Sequence, residues 1–321
     1  MRLGLVTDSL SHLPFEQMLD TCAELGITDV EFPVGGWSTA PHCDAEALLA
    51  DDRALRSFAA AIERRGLRIS AFNANGNQLH PVSGAEGDAV VRRAVELAHR
   101  LGVETVVCMS GLPGGAPGDR TPNWVTTSWP PETLEILDYQ WNRVALPYWE
   151  DLARLGRARG VRFAVEMHGS QLVHSARTLL RLREAVGSVV GANVDPSHPL
   201  WQGADPRILV RELDGAVHHV HAKDVRMNPR VLDAQGVLDT TPVDLPDERA
   251  WNFVTLGSGH PGGATFWGQL FSDLRGAGYD GVLSIEHEDL RIDAVEGVRR
   301  TVRLLEDVIP RAAPSWTPAD V

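Results

Sequence analysis

Short apolar runs rich in β-branched residues alternate along the chain with longer segments in which apolar residues return every three or four positions. The first pattern predicts strands and the second predicts amphipathic helices. Strands are expected at residues 2–7, 27–32, 67–73, 104–109, 161–166, 189–195, 216–222 and 281–286, with helices at 14–25, 44–65, 88–101, 148–159, 175–185, 205–213, 265–277 and 293–308. Five helices run into a glycine, at Gly26, Gly66, Gly102, Gly160 and Gly278, the residue that most readily ends a helix in the left-handed conformation. Eight strand and helix pairs in this length predict an α/β fold of the (βα)8 TIM-barrel type, one domain over residues 1–310 with 311–321 as a tail. A doubly wound open sheet is the alternative. Against it, the first strand runs into Thr7, Asp8, Ser9 and Leu10 rather than a glycine-rich loop.

Two connections, 110–147 after the fourth strand and 223–263 after the seventh, far exceed the usual ~2–6 residues. Both follow strands and so belong to the catalytic face of a barrel. Their aromatic residues suit a lid or a docking surface, and equally a packing surface for another subunit.

Composition narrows the partners. A formal net charge of −13 on 321 residues repels nucleic acid backbones and anionic membranes, leaving a neutral or weakly charged small molecule, or another protein. No apolar run approaches the ~18 residues of a membrane span, and Met1–Thr7 has no basic leader, so a cytoplasmic protein is expected. Cys22, Cys43 and Cys108 are too scattered for a metal motif and read as reduced core residues.

The chemistry lies at the ends of the last four strands: Glu166 in "FAVEMHG", Asp195 in "GANVDPSH", His221 in "HHVHAKD" and Glu286 in "LSIEHED". In a parallel barrel these ends converge on one mouth. Each carboxylate alone is more often a helix cap or a salt-bridge partner. Three carboxylates and one imidazole at equivalent places on four consecutive strands form a mixed oxygen and nitrogen set suited to Mn²⁺ above all, with Mg²⁺, Co²⁺ or Zn²⁺ also fitting. In "HHVHAKD" the side-chain period of two puts His219, His221 and Lys223 on one face and His218 on the other. His221, nearest the strand end, is the expected ligand, with His219 a hydrogen-bonded residue one layer deeper. His218 is expected in the helix layer, capping or at the surface. Lys223 is expected to contact substrate or pair with a ligand carboxylate, and Asp224 to orient a neighbour or close a loop salt bridge. Trp37, Asn73 and His80, with Glu31, are candidates to touch a small-molecule substrate, although turn, packing or salt-bridge roles explain each as well.

Taken in order, these four motifs resemble the xylose-isomerase-like barrel superfamily of sugar phosphate isomerases and epimerases, over nearly the whole chain. The resemblance implies one divalent metal on Glu166, Asp195, His221 and Glu286, with Glu166 and Glu286 as acid and base, His198 of the Asp-x-x-His pattern on the substrate, and Arg226 as a further contact. It implies a cytoplasmic enzyme that removes a proton beside a sugar carbonyl through an enediolate. "GNQLHP", "PNWVTTSWPPE" and "VEMHG" are also similar to the α subunits of C-glycoside deglycosidases, lyases that act on oxidised (3-oxo) glycosides with a small β subunit; there the position of His168 is a catalytic base. The competing outcomes are therefore epimerisation or isomerisation, lyase chemistry of deglycosidase or inosose dehydratase type, and a non-catalytic sugar-binding barrel. A homo-oligomer, or a hetero-oligomer with a β subunit, is expected. The long interval from His221 to Glu286 departs from compact ketose epimerases, and the strands ending "VEFP" and "AFNANG" lack the extra histidines of the endonuclease branch.

Overall fold

The structure, a computed structural model, describes residues 1–310; the expected tail at 311–321 lies outside the described residues. Eight parallel strands close into a barrel: β1 (Arg2–Val6), β2 (Asp29–Pro33), β3 (Arg68–Asn73), β4 (Thr105–Cys108), β5 (Arg162–Glu166), β6 (Val190–Val194), β7 (Val217–Ala222) and β10 (Val282–Ile285), which returns to β1. Between β7 and β10 lies an antiparallel hairpin of β8 (Asp224–Met227) and β9 (Trp251–Val254). This is the expected (βα)8 barrel. All five expected helix-ending glycines have positive φ, from 67° at Gly160 to 85° at Gly278.

The helices differ from expectation where turns or packing override the periodicity. The segment expected at 44–65 is two helices, Ala45–Ala50 and Asp52–Glu63. They divide at Asp51, whose extended backbone lets its carboxylate accept the Arg53 N–H at 2.8 Å. The loop expected at 110–147 is helical from Glu132 onwards, with a π-helical stretch Tyr139–Ala145 continuing into Leu146–Arg159. The second long loop holds the hairpin and a helix, Pro229–Gln235.

The apolar core lies mainly between strands and helices, where Phe32, Phe72, Phe163, Trp149, Trp267 and Phe271 are buried. Inside the barrel the filling is divided. On β3, β4 and β5 it is the small apolar trio Ala71, Val107 and Ala164; on β2, β6, β7 and β10 it is Glu31, Asn193, His219, His221 and Ser284, all buried. A barrel with half its interior polar must satisfy each group by hydrogen bonding.

His218 corrects the sequence reading. It points away from the barrel axis as the strand period requires, but it is buried rather than capping or superficial, and its Nδ1 donates to the Phe163 carbonyl on β5 at 2.9 Å. The ring crosses β6 at Gly191, where a Cβ would stand 2.5 Å from the His218 ring. Burial pushes the His218 pKa down to about 4, whereas an unfolded chain takes up this proton near ~6.5. The neutral ring therefore stabilises the fold fully above ~6.5, and that contribution is lost as the pH falls from there towards 4. A His218→Gln variant is expected to show less acid destabilisation than the wild type, by on the order of 3 kcal/mol, in urea titrations compared at pH 7.5 and pH 4.5.

Candidate functional site

At the C-terminal mouth, donor atoms of Glu166, Asp195, His221 and Glu286 all lie within 4.8 Å of one another. Neighbours hold each group in place. Glu166 Oε2 accepts from Asn75 Nδ2 at 3.1 Å and from Asn193 Nδ2 at 2.9 Å. Asp195 Oδ1 accepts the Ser197 backbone N–H at 2.8 Å and its hydroxyl at 2.7 Å. Glu286 Oε2 takes the Lys223 ammonium at 3.0 Å. The same ammonium meets Glu288 at 3.0 Å and lies 4.2 Å over the Phe253 ring of β9, which ties the hairpin to the mouth.

His221 is set from below. Its Nε2 donates to Glu31 Oε1 at 3.0 Å, and its Nδ1 faces the carboxylates, 3.2 Å from Glu286 and 3.3 Å from Glu166; burial opposes its charge, but Glu31, Glu286 and Glu166 hold the ring well above the usual histidine range, so a metal ion at Nδ1 would take the place of a proton. Glu31 also receives Asn73 at 2.8 Å, His219 at 2.7 Å and Ser284 at 2.8 Å. Burial drives this carboxyl up, but His221 and His219 overcome it and hold it well below the usual range.

The electrostatics are those of a site short of positive charge. Burial, reinforced by Glu166 and Glu286, pushes Asp195 up to about 8 despite Lys223. Glu166 lies well below the usual range: burial raises it, and His198 and His221 more than offset that. Two of the converging atoms, Asp195 Oδ2 and His221 Nδ1, are buried without any hydrogen-bond partner. A divalent ion would satisfy both and neutralise the carboxylates. The donor set fits.

Two further histidines stand over the cluster. His198 is buried, with Nε2 3.2 Å from Glu166 Oε1 and 3.4 Å from Asp195 Oδ2. Trp201 Nε1 donates to its Nδ1 at 3.3 Å, so Nε2 carries the proton, and burial with the neighbouring His168 keeps the ring neutral, its pKa down to about 3. His198 is thus a hydrogen-bond donor at the site. The His168 ring lies 4.0 Å from it and donates through Nδ1 to the Gly169 carbonyl, which leaves the Nε2 lone pair as a base. Both line a cavity of about 290 Å³, together with Trp37, Lys223, Glu166 and Glu286. Trp37 is 57% exposed, its ring 5.7 Å from that of His168.

Other sequence candidates lie elsewhere. His80 accepts the Val82 and Ser83 N–H groups ahead of the helix Gly84–Leu101, and Arg226 donates to the Ser258 carbonyl at 2.8 Å. Neither lines the cavity. Asn73 borders it, but its amide is committed to Glu31 and its carbonyl to the Asn75 N–H. Asp224 orients a loop, accepting the backbone N–H groups of Val225, Gly257, Gly259 and His260. The His260 ring stacks on Phe266, 3.7 Å away. Sequence reasoning missed Asn75, Asn193, Ser197, Glu288 and the role of Glu31. Asp8, which also borders the cavity, has a buried Oδ1 without a partner and a pKa raised by burial.

Outer partners that orient a ligating histidine are typically worth ~10–100-fold in metal affinity. Glu31→Gln is expected to weaken divalent-metal binding by that factor, read by titration against a fluorescent chelator.

The family model for the xylose isomerase-like TIM barrel matches residues 19–308. The uncharacterized protein YfiH of Bacillus subtilis (strain 168) is 46% identical over 313 residues, covering 96% of this chain and 99% of its own. Among solved structures, the IOLI protein with a bound zinc atom is similar at TM-score 0.69 and 17% identity, over 96% of this chain and 98% of that one. D-psicose 3-epimerase, solved in the presence of D-fructose, is similar at TM-score 0.63 and 13% identity, over 96% and 99%.

Proposed function

Because this chain belongs to the xylose isomerase-like TIM-barrel family, we propose that it is a divalent-metal-dependent enzyme that removes the proton beside a carbonyl of a keto sugar or polyol ketone, as an isomerase or epimerase does. The observation that carries this reading is the pair of orphaned atoms, Asp195 Oδ2 and His221 Nδ1, converging with Glu166 and Glu286 beside His168. Glu166, Asp195, His221 and Glu286 would hold the ion, with Mn²⁺ favoured by the oxygen-rich set. When bound, it supplies Lewis acidity to the carbonyl and the adjacent hydroxyl of the substrate.

The chain's own residues do the rest. His168, with Nδ1 fixed on Gly169, takes the proton at Nε2. His198 donates Nε2–H to a substrate oxygen, and its neutral state keeps it from adding charge. Glu166 and Glu286 line the same cavity and are the other proton carriers, although the Asn75–Asn193 pair and Lys223 restrict them. Return of the proton to the same or the neighbouring carbon gives an epimer or an isomer. A leaving group one carbon further on would be expelled from the same enediolate, which is where the dehydratase and deglycosidase readings join this one.

The test is exchange in deuterated water, with ketoses and inososes followed by mass spectrometry. Metal-loaded protein is expected to incorporate one deuteron beside the carbonyl, and chelator to abolish the exchange. Incorporation that persists unchanged in chelator would contradict the reading.

A further inference from the structure

Two groups able to carry a proton face each other across the cavity over the cluster. The closed barrel runs β1-β10-β7-β6-β5-β4-β3-β2, so β1 and β5 stand four strands apart in either direction, on opposite walls. Asp8 comes two residues after the end of β1 and His168 two residues after the end of β5, and both border the same space of about 290 Å³. We propose that Asp8 is the second proton carrier: with the enediolate reading above as the premise, His168 takes the proton from one face of the substrate carbon and Asp8 returns one to the other face, so the product is the epimer.

Nothing local uses the Asp8 carboxyl. Its Oδ1 is buried without a hydrogen-bond partner. Aspartates that begin other helices are spent on backbone N–H groups, as Asp44, Asp51, Asp205 and Asp293 are, whereas the helical turn Thr7–Leu10 that carries Asp8 has no side-chain cap. The turn itself is held: Ser9 Oγ accepts the His287 N–H at 2.9 Å, which fixes it against the segment after β10.

The alternatives on that wall are engaged. Among the described residues bordering the cavity, Glu166 and Glu286 belong to the ligand set, and Lys223 pairs with Glu286 and Glu288. The His287 ring turns away, lying against Gly297 of the helix Ala294–Val308. His198 stands beside His168, rings 4.0 Å apart, and so serves the same face. Burial raises the Asp8 carboxyl above its ordinary range, Ser38 and His42 opposing and Glu286 and Glu31 adding to it, which favours a carboxyl with a proton to give.

The transfers balance. The C–H electron pair passes into the enediolate double bond as His168 Nε2 takes the proton. The same pair then forms a new C–H bond with the proton of the Asp8 carboxyl, which is left as a carboxylate. Water takes the proton from His168 and returns one to Asp8, so no oxidant or reductant is needed.

The experiment gives metal-loaded protein in deuterated water 2-ketohexoses paired as C3 epimers, D-fructose with D-psicose and D-tagatose with D-sorbose, and inososes paired as epimers beside the ketone. Epimer formed and deuterium in the recovered substrate are measured separately, starting from each member of a pair. The wild type is expected to interconvert a pair, with one deuteron in the epimer. Asp8→Asn is expected to lower epimer formation by ~10²–10⁴-fold, the usual contribution of a positioned acid or base, while the member whose proton faces His168 loses far less of its exchange. His168→Asn is expected to show the reverse asymmetry. Epimer formation that survives Asp8→Asn, or exchange and epimer lost by one common factor from both members, overturns the assignment. So does loss of Mn²⁺ binding in Asp8→Asn, which would make the residue structural. A wild type that exchanges the proton but forms no epimer overturns the part given to Asp8 and leaves the enediolate reading standing, whereas absence of metal-dependent exchange overturns that reading itself.

Discussion

Asp195→Asn is expected to abolish the proposed divalent-metal binding and proton exchange together while leaving the fold intact. The asparagine carbonyl can keep the Oδ1 contacts to the Ser197 N–H and hydroxyl, 2.8 and 2.7 Å long, so the turn after β6 survives. What changes is Oδ2, the buried atom with no partner, replaced by an N–H₂ that cannot ligate. The loss in metal affinity should exceed the ~10–100-fold typical of removing an outer hydrogen-bond partner. The metal-free variant should also be at least as stable as the metal-free wild type, because it removes a carboxyl that burial and its carboxylate neighbours already oppose. Melting curves with and without metal read both effects. A stabilisation by metal that is the same in both proteins would contradict the assignment.

The second large effect separates the base from the metal. His168→Asn is expected to lower the rate of proton abstraction by ~10²–10⁴-fold, the usual contribution of a positioned general base, while metal affinity stays at the wild-type level. The reason is geometric: His168 faces His198 and the cavity and is not among the four strand-end residues, although with Glu166 and His198 it forms a second donor group that the metal titration tells apart from the first. Exchange rates under saturating metal and substrate, set beside a metal titration of the same variant, check it. Loss of metal with His168 would move this residue into the coordination set.

The parts of the site legible in the sequence were those that follow from topology and strand period. Glu166, Asp195, His221 and Glu286 end parallel strands, so closure of the barrel alone brings them together. The period of two separated His219 and His221 from His218, and the structure keeps that division. The burial of His218 was not visible, because it depends on the missing Cβ of Gly191 on the neighbouring strand. Nor was Glu31, whose partners His219 and His221 lie 188 and 190 residues away. His80 and Asn73 could equally touch a ligand or serve local backbone and side-chain groups, and the structure gives them the second kind of contact. The hairpin was hidden because its strands have four residues each and no tight turn between them.

The central claim, that the four strand-end residues hold one divalent ion, is tested most directly by calorimetric titration of chelator-stripped protein with Mn²⁺. The expected result is saturable binding of one ion per chain. Absence of saturable binding, or binding unaffected by Asp195→Asn, would contradict it.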